Sequence, residues 1–356
     1  MKAKIYLLAA LLTLLCACGS KPYPHVLTTA DSLASANPDS AQALLASLAE
    51  GMKQEPQAVQ MYYRLLCIKA KDKAYITHTS DSAILPVVEY YEQEGDKKHL
   101  PEAYYYAGRV YRDLGDAPQA LDYFEKALDA MQKNENLKVK SKVYAQMGTL
   151  FSYQNLYVEA IEACKQSLQC KLISNDSIGM IFSYRDIAGN YLQQGQQDSA
   201  LHYYKIAYKL SLLLRQKDLG NGIQSQLANL YIEKGNYEEA HHSLQKALQN
   251  IIEPNRSGIY SIAASYYHSI GKIDSAEWYY NKLLSCGTLY SKESANRGLA
   301  SITLSQGQTI PAARYLYQAL VLGDSIKKIT ITEDIRRSHA LYKHQVREKE
   351  NQHLKL

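Results

Sequence analysis

The 356-residue sequence has little proline, glycine, phenylalanine and tryptophan, with 9, 18, 3 and 1 copies respectively. So little proline and glycine excludes a collagen-like or low-complexity linker protein. An apolar fraction of 46% with 21% charged residues excludes a disordered chain. The abundant aromatic residue is tyrosine, with 31 copies. Because a tyrosine ring can pack while its hydroxyl stays in water, this bias favours many shallow helix interfaces over one thick apolar core.

Catalytic and cofactor-binding motifs are also lacking. The sequence contains no GxSxG, no HExxH, no phosphate loop and no dinucleotide fingerprint. His241 and His242 are adjacent, so they point to different faces of a helix and do not share one metal readily. We therefore expect a protein that is not an enzyme and that uses no cofactor and no metal.

A basic stripe of the kind that nucleic-acid binding needs is missing as well. The net charge is +5, but Lys2 and Lys4 supply part of it, and residues 327–356 hold eight Lys/Arg against four Asp/Glu. The body between these two ends is nearly neutral. The sequence therefore predicts that this chain has no nucleic-acid partner.

The first residues are typical of an export signal. A positive start is followed by an apolar stretch from Ile5 to Leu15, which is too short to span a bilayer as a mature helix. The sequence Leu15-Cys16-Ala17-Cys18 resembles the bacterial lipoprotein cleavage box, with residues 1–17 as the signal peptide and Cys18 as the lipidated residue. An ordinary secretory leader is the alternative. The lipoprotein interpretation implies a cell-envelope protein that is membrane-anchored and faces the periplasm or the exterior, with the membrane and leaflet left open.

Four cysteines remain after the leader. Cys164 and Cys170 lie six residues apart on one predicted helix and on different faces, so they should not pair. Together with Cys67 and Cys286, they are expected to serve as small buried apolar residues.

Several columns of similar residues recur at spacings of 36 or 40 residues. A small residue opens each unit: Gly108, Gly148, Ala188, Ala228, Ala264 and Ala300. Three residues later come Tyr111, Phe151, Tyr191, Tyr231, Tyr267 and Thr303. Seven residues after the small residue come Gly115, Asn155, Gly195, Gly235, Gly271 and Gly307. Twelve residues after it come Ala120, Ala160, Ala200, Ala240, Ala276 and Ala312. A large residue follows four positions further on, at Phe124, Tyr204, Leu244, Tyr280 and Leu316.

Each column has a physical role in a hairpin of two helices, helix A and helix B. The small residue lets a neighbouring helix approach closely, and the Gly or Asn ends helix A in a left-handed conformation. The alanine and the large residue form the buried stripe of helix B. We expect Asp198 and Asp274 to cap the N-terminus of helix B, with Pro118 and Pro311 in its first turn.

The order of these columns resembles the tetratricopeptide repeat, over residues 101–326 well and over 22–100 loosely. The resemblance implies an all-α, right-handed α-solenoid of about eight helical hairpins with a long C-terminal helix, a concave peptide-binding groove and no catalysis. It divides the chain into degenerate N-terminal helical repeats at 18–100, six repeats at 101–326 and a charged C-terminal helix at 327–356. The period of 36–40 residues is longer than the family's 34, and the opening tryptophan of the family is absent.

The leader and the stretch Asn37-Pro38-Asp39-Ser40-Ala41 also resemble Bacteroidetes-type repeat lipoproteins and the extracytoplasmic halves of repeat-containing membrane regulators. The first resemblance implies a lipid-anchored scaffold for a protein or peptide partner. The second implies the sensory half of a truncated signalling or transcriptional regulator. A glycan-capture lipoprotein is a third interpretation, and a single Trp278 on a core-like stretch argues against it.

The groove implied by the family would lie on the A helices. The candidate partner-binding residues are Tyr105, Arg109, Arg112, Lys142, Tyr153, Arg185, Asn229 and His268. The Lys–Asn pair of carboxylate-clamp members is missing. Arg109, Arg112, Lys142 and Arg185 could form a basic patch, or they could belong to a solvated face that neighbouring carboxylates balance.

The C-terminal segment has a thin apolar seam that includes Ile331, Ile335, Tyr342 and Val346, surrounded by charged residues. Three interpretations stay open at this point. The segment is a capping helix for the last repeat, a coiled coil that joins two copies into a dimer, or a basic segment near an anionic surface.

Overall fold

The computed structural model describes residues 24–131, 136–249, 251 and 256–327. Every regular element in those ranges is an α-helix, which confirms the expected all-α fold of helical hairpins. The chain divides into two compact units, unit 1 at Met1–Leu114 and unit 2 at Gly115–Leu356. The sequence-based boundaries after residues 100 and 326 stay predictions, as does the right-handed superhelix.

The helices of unit 1 are α1 (His25–Ala36), α2 (Pro38–Met52), α3 (Gln57–Lys73), α4 (Leu85–Glu94) and α5 (Leu100–Asp113). The described part of unit 2 contains α6 (Ala117–Asp129), α7 (Leu137–Tyr153), α8 (Tyr157–Ile173), α9 (Ser177–Gln193), α10 (Gln197–Leu213), α11 (Lys217–Glu233), α12 (Tyr237–Gln249), α13 (Arg256–Ser269), α14 (Ile273–Cys286) and α15 (Leu289–Ser305). A further helix, α16, covers residues 309–327.

Unit 1 is built around α1, α2 and α3, which pack on one another through small and aliphatic side chains. Leu27, Ala30 and Leu45 are almost fully buried there, together with Leu66. The N-terminus of α2 is fixed locally, because the side chain of Asn37 accepts a hydrogen bond from the amide of Ser40.

Unit 2 repeats one motif, in which an A helix packs against the B helix that follows it. The successive hairpins pair α7 with α8, α9 with α10, α11 with α12 and α13 with α14. Each B helix also packs on the next A helix, so α8 contacts α9 and α10 contacts α11. This regular stacking places the A helices of unit 2 side by side.

The predicted left-handed residues between helix A and helix B are confirmed. Asn155 has φ 61° and Gly195 has φ 75°, and Gly235, Gly271 and Gly307 are also in this region. The junctions between hairpins use the same conformation without glycine, at Asn175 and Arg215, both with φ 56°. An L-residue with a Cβ adopts this region at a steric cost.

The alanine column is confirmed as the contact surface of the B helices. Every member is 0% exposed: Ala120, Ala160, Ala200, Ala240, Ala276 and Ala312. The large residues that follow are also buried, except Leu316, which is 46% exposed. The prediction was wrong at Leu316, because among the described residues no further A helix covers that side of α16.

The predicted aspartate caps were wrong. α10 begins at Gln197 and α14 begins at Ile273, so Asp198 and Asp274 lie inside the first turn rather than at the cap. Their carboxylates still lie at the positive end of the helix dipole. Pro118 is confirmed in the first turn of α6.

Two expectations about side-chain burial also need correction. Cys164 and Cys170 are buried and unpaired as expected, but Cys67 is half-buried and Cys286 is exposed. Trp278 is 52% exposed on α14, so its assignment to a core-like stretch was wrong. Its ring packs edge-on against Tyr260 of α13, with the two ring centroids 6.3 Å apart.

The signal peptide at 1–17 and Cys18 lie outside the described residues, as does the C-terminal segment from residue 328. The lipidation and dimerisation hypotheses therefore have no structural counterpart here. None of the described helices combines the length and the apolar character that crossing a bilayer requires.

Candidate functional site

A cavity of about 810 Å³ lies in unit 2, along the row of A helices. We call it the groove. It is lined from α7, α9, α11 and α13, with contributions from α8 and α10, and its main lining residues are Gly148, Ser152, Tyr153, Cys164, Arg185, Asp186, Gly189, Asn190, Gln193, Tyr204, Gly222, Ser225, Gln226, Gly258, Ile259 and Ile262. Four successive hairpins therefore contribute to one continuous surface.

Small residues form the floor of the groove. A Cβ added at Gly148 would lie 2.8 Å from the Sγ of Cys164 and 3.3 Å from the backbone oxygen of Ala160, so glycine at this position lets α7 and α8 pack closely. A Cβ added at Gly222 or Gly258 would meet no atom within 4 Å, so these two glycines leave their backbone open to the groove. Two of the four hairpins thus expose bare helix backbone at which an extended chain can approach closely.

Asn190 is the polar side chain that the groove leaves incompletely bonded. Asn190 is 5% exposed, and its Nδ2 donates a hydrogen bond to the backbone carbonyl oxygen of Asp186 at 2.9 Å. Its Oδ1 is buried and has no hydrogen-bond partner in the structure. A buried acceptor without a partner costs free energy, and a donor from a bound ligand would satisfy it.

A single ion pair provides the charge of the groove. The guanidinium of Arg185 donates to the Oδ1 of Asp186 through Nη2 at 2.8 Å and through Nε at 3.0 Å. Arg185 also lies over the ring of Phe182, with its Cζ 5.1 Å from the ring centroid. Because the two charges neutralise each other, the groove favours a ligand that is held by hydrogen bonds rather than by net charge.

Two groups under the groove stay protonated at neutral pH. Burial raises the pKa of the Cys164 thiol to about 12 and the pKa of the Tyr204 phenol to about 12. A thiol with so high a pKa is a poor nucleophile, because the thiolate is the reactive form. The groove therefore presents neutral donors and acceptors along its length.

The end of the groove on α13 is apolar. Ile259 is buried and Ile262 is half-buried, and both line the cavity next to Gly258. Leu192 of α9 is a further aliphatic side chain in the lining of the groove. A ligand that lies along the groove therefore meets amide and hydroxyl groups first and aliphatic side chains at one end.

Tyr153 and Arg185 are the candidate residues from the sequence that line the groove. Lys142 is half-buried on α7 and is not among the lining residues. The amide of Asn229 donates to the carboxylate of Glu233 at 2.8 Å, away from the cavity. A ring nitrogen of His268 lies 3.3 Å from the hydroxyl of Tyr280.

The other three candidates belong to unit 1. Tyr105 is 3% exposed, and its hydroxyl accepts a hydrogen bond from Arg109 at 3.4 Å. The guanidinium of Arg109 pairs with the buried carboxylate of Asp72 at 2.5 Å. Arg112 pairs with Asp113 at 2.6 Å. In unit 1, neighbouring carboxylates therefore balance both arginines.

Sequence reasoning missed Asn190, Gly222 and Gly258. The recurring columns report positions that hold the same residue type in every hairpin, and groove positions change type from one hairpin to the next. Asn190 lies two residues after Ala188 of the small-residue column, so its location on the inner part of helix A was available from the register alone. The register did not reveal that the Oδ1 of Asn190 lacks a hydrogen-bond partner.

Among the described residues, no group of three His, Cys, Asp or Glu side chains is placed to hold a metal ion.

Comparisons with known proteins agree with the hairpin architecture. Tetratricopeptide-repeat family models match residues 101–134 and residues 222–249. The structure is similar to the apo form of RapI, with a TM-score of 0.65 and 13% identity, over 85% of this chain and 98% of that chain. It is also similar to a signal-transduction ATPase with a tetratricopeptide-repeat sensor from Pyrococcus horikoshii, with a TM-score of 0.64 and 18% identity, over 82% of this chain and 45% of that chain.

A curated relative matches part of the sequence. The human protein O-mannosyl-transferase TMTC1 is 24% identical over an alignment of 203 residues, and the match covers 50% of this chain. The match spans 22% of that protein's length. At these identities the solved structures establish the fold, and the two matched segments identify tetratricopeptide repeats within an all-helical chain of stacked hairpins.

Proposed function

We propose that this protein is a non-catalytic scaffold that binds an extended protein or peptide segment in the groove of unit 2. The observation that carries the proposal is the buried, unpartnered Oδ1 of Asn190 on a surface lined by neutral polar groups. A peptide supplies a backbone N–H for this oxygen, and it can lie against the open backbone at Gly222 and Gly258.

Asn296 provides a matched control for Asn190. Its Nδ2 donates to the backbone carbonyl of Lys292 at 2.8 Å, its Oδ1 is buried and unpartnered, and the residue is 2% exposed. It lies on α15 and is not among the lining residues of the groove. Replacing either asparagine with leucine of similar size therefore removes the same local hydrogen bond, but only Asn190→Leu changes the groove.

The test is a selection of peptides from a random displayed library on the immobilised full chain, followed by titration calorimetry of the enriched peptide. We expect Asn190→Leu to weaken binding about tenfold and Asn296→Leu to leave it unchanged, because one hydrogen bond to a buried acceptor is worth about 1–3 kcal/mol. Equal affinities for the two variants, or a failure to enrich any peptide, would contradict the proposal.

We further propose that the scaffold is a bacterial lipoprotein that Cys18 anchors to a membrane, with the repeats outside the cytoplasm. The support is the short export leader that ends in Leu15-Cys16-Ala17-Cys18. Two acyl chains on one cysteine give a stable anchor. Cys18→Ala is expected to abolish lipid labelling of the chain. Lipid labelling retained in this variant, for example on Cys16, would contradict this assignment.

A sensory role is the second candidate, in which the groove is the receptor half of a signalling regulator. It is favoured by the similarity to a protein whose repeats are described as a sensor. A coding sequence that continues beyond residue 356 into an apolar segment of about twenty residues would support this role.

A further inference from the structure

Large aliphatic side chains are exposed where one hairpin of unit 2 joins the next. At the junction between α8 and α9, Leu172 is 50% exposed and Ile173 is 58% exposed. At the junction between α10 and α11, Leu212 is 58% exposed and Leu213 is 71% exposed. Ile178, at the start of α9, is also exposed.

These side chains lie on one edge of unit 2. Each pair ends a B helix, and the two pairs are 40 residues apart, one repeat along the stack. The ends of successive B helices lie at the same edge, because each hairpin packs on the next with the same topology. We call the exposed residues at these two junctions the junction rim.

The opposite edge of unit 2 has fewer exposed aliphatic side chains. The turn between α9 and α10 has the sequence Gln193-Gln194-Gly195-Gln196-Gln197, without an apolar side chain. Single exposed apolar residues do occur at that edge, at Tyr153, Val158 and Ile310. What distinguishes the junction rim is an adjacent pair of exposed aliphatic residues in each of two consecutive repeats. An exposed apolar patch of this kind indicates a contact surface.

Cations surround the more exposed aliphatic pair. Lys209, Arg215 and Lys217 are all exposed next to Leu212 and Leu213, and Asp218 is the adjacent acidic residue. Arg215 has φ 56°, a left-handed conformation that six glycines of the described residues also adopt. The chain thus keeps a long cationic side chain at a position where the backbone favours glycine.

We propose that the junction rim is a membrane-contact surface that inserts Leu212 and Leu213 into the interface of an anionic lipid bilayer. Aliphatic side chains flanked by lysine and arginine are the pattern that interfacial segments use, with the cations at the headgroups and the apolar groups just below them. A protein partner would not require a surplus of positive charge around the apolar pair. The proposal draws on the proposed lipid anchor only for proximity to a membrane.

The test places a nitroxide spin label on Ser174→Cys, an exposed position between the aliphatic pair of α8 and the start of α9. The full chain carries Cys67→Ser and Cys286→Ser so that the half-buried and the exposed thiols do not react. The control label is on Asn236→Cys, an exposed position in the turn between α11 and α12 at the opposite edge. Accessibility to oxygen and to a water-soluble nickel complex is measured on phosphatidylcholine vesicles with and without phosphatidylglycerol.

With phosphatidylglycerol, the label at residue 174 should become more accessible to oxygen than to nickel, while the label at residue 236 should keep its aqueous values. Leu212→Ser with Leu213→Ser should return the label at residue 174 to aqueous values. Lys209→Glu with Lys217→Glu should do the same, whereas Lys165→Glu, an exposed charge in the middle of α8, should not.

An aqueous label at residue 174 on anionic vesicles would overturn the proposal, as would dipolar broadening that reports a second copy instead of lipid. The mass of the chain shows independently whether Cys18 carries lipid. Titration with the enriched peptide measures separately whether the groove binds it. A result against membrane contact by the junction rim can therefore be told apart from a result against the peptide-binding groove or against the lipid anchor.

Discussion

At the residue scale, the conformation of single positions determines where the hairpins bend. Gly195 ends α9 with φ 75°, and Asn155 occupies the same place one repeat earlier with φ 61°. The sequence predicted these positions because few residue types adopt the left-handed region cheaply. It did not predict Arg215 in that conformation, because no local preference favours arginine there.

Replacing Gly195 should therefore destabilise the fold for a backbone reason alone. A Cβ at this residue would meet no atom within 4 Å, so Gly195→Ala adds strain without a collision. We expect a loss of about 1–2 kcal/mol in the free energy of unfolding. Gly222→Ala is the matched control, since its Cβ is also unobstructed but its backbone is helical, and it should gain about 0.5–1 kcal/mol. Urea denaturation measures the free energy of unfolding of each variant relative to the wild type. A change of the same sign in both variants would refute this explanation.

His78 should make the stability of unit 1 depend on pH. Burial lowers the pKa of its imidazole below the ordinary value of 6.5, while Asp113 and Asp72 raise this pKa and Arg109 and Lys71 lower it. Its Nε2 is buried without a hydrogen-bond partner. The unfolded chain therefore takes up a proton near pH 6.5 before the folded chain does, so His78 makes the protein less stable as the pH falls below that value.

The measurement compares denaturation midpoints of the wild type and His78→Gln at about pH 7.5 and pH 5.5, on either side of the ordinary histidine pKa. Glutamine keeps a polar side chain but does not titrate. We expect the variant to lose less stability on acidification than the wild type. An equal or greater loss in the variant would show that His78 is not the group responsible.

At the scale of elements, the alanine column predicted which face of each B helix is buried, and the structure confirms it. Ala240 is 0% exposed, and Leu244 is buried beside it on α12. The caps were harder to predict, because α10 begins at Gln197 with Gln196 as a cap that makes no side-chain hydrogen bond. Stacking of the hairpins, rather than a local capping residue, determines that boundary.

Ala240 should tolerate no additional volume. Ala240→Leu places three further carbon atoms in a closed contact and should cost about 1–3 kcal/mol. Gln245→Leu adds an apolar side chain at an exposed position of the same helix and should change stability by about 0.5 kcal/mol or less. Thermal melts of the two variants test the assignment, and equal shifts would mean that α12 does not bury the predicted face.

At the scale of the whole molecule, the recurring columns predicted an all-helical chain of hairpins but not its functional surface. The groove depends on side chains that differ between hairpins, such as Asn190, Gly222 and Ile259. Two of the eight sequence candidates, Tyr153 and Arg185, line it. The arginines of unit 1 could be placed on a helix face from the sequence, and Asp113 could be expected beside Arg112, which it follows in the chain. The partner of Arg109, Asp72, became evident only from the three-dimensional contacts.

The most direct test of the central claim is hydrogen exchange of the full chain with and without the peptide enriched on it. We expect added protection in α7, α9, α11 and α13, where they line the groove, and unchanged exchange in α12 and α14, which contribute no lining residue. In Asn190→Leu the protection should diminish at the same peptide concentration, and in Asn296→Leu it should persist. Protection confined to unit 1 or to the B helices of unit 2 would contradict the claim that the groove holds the partner.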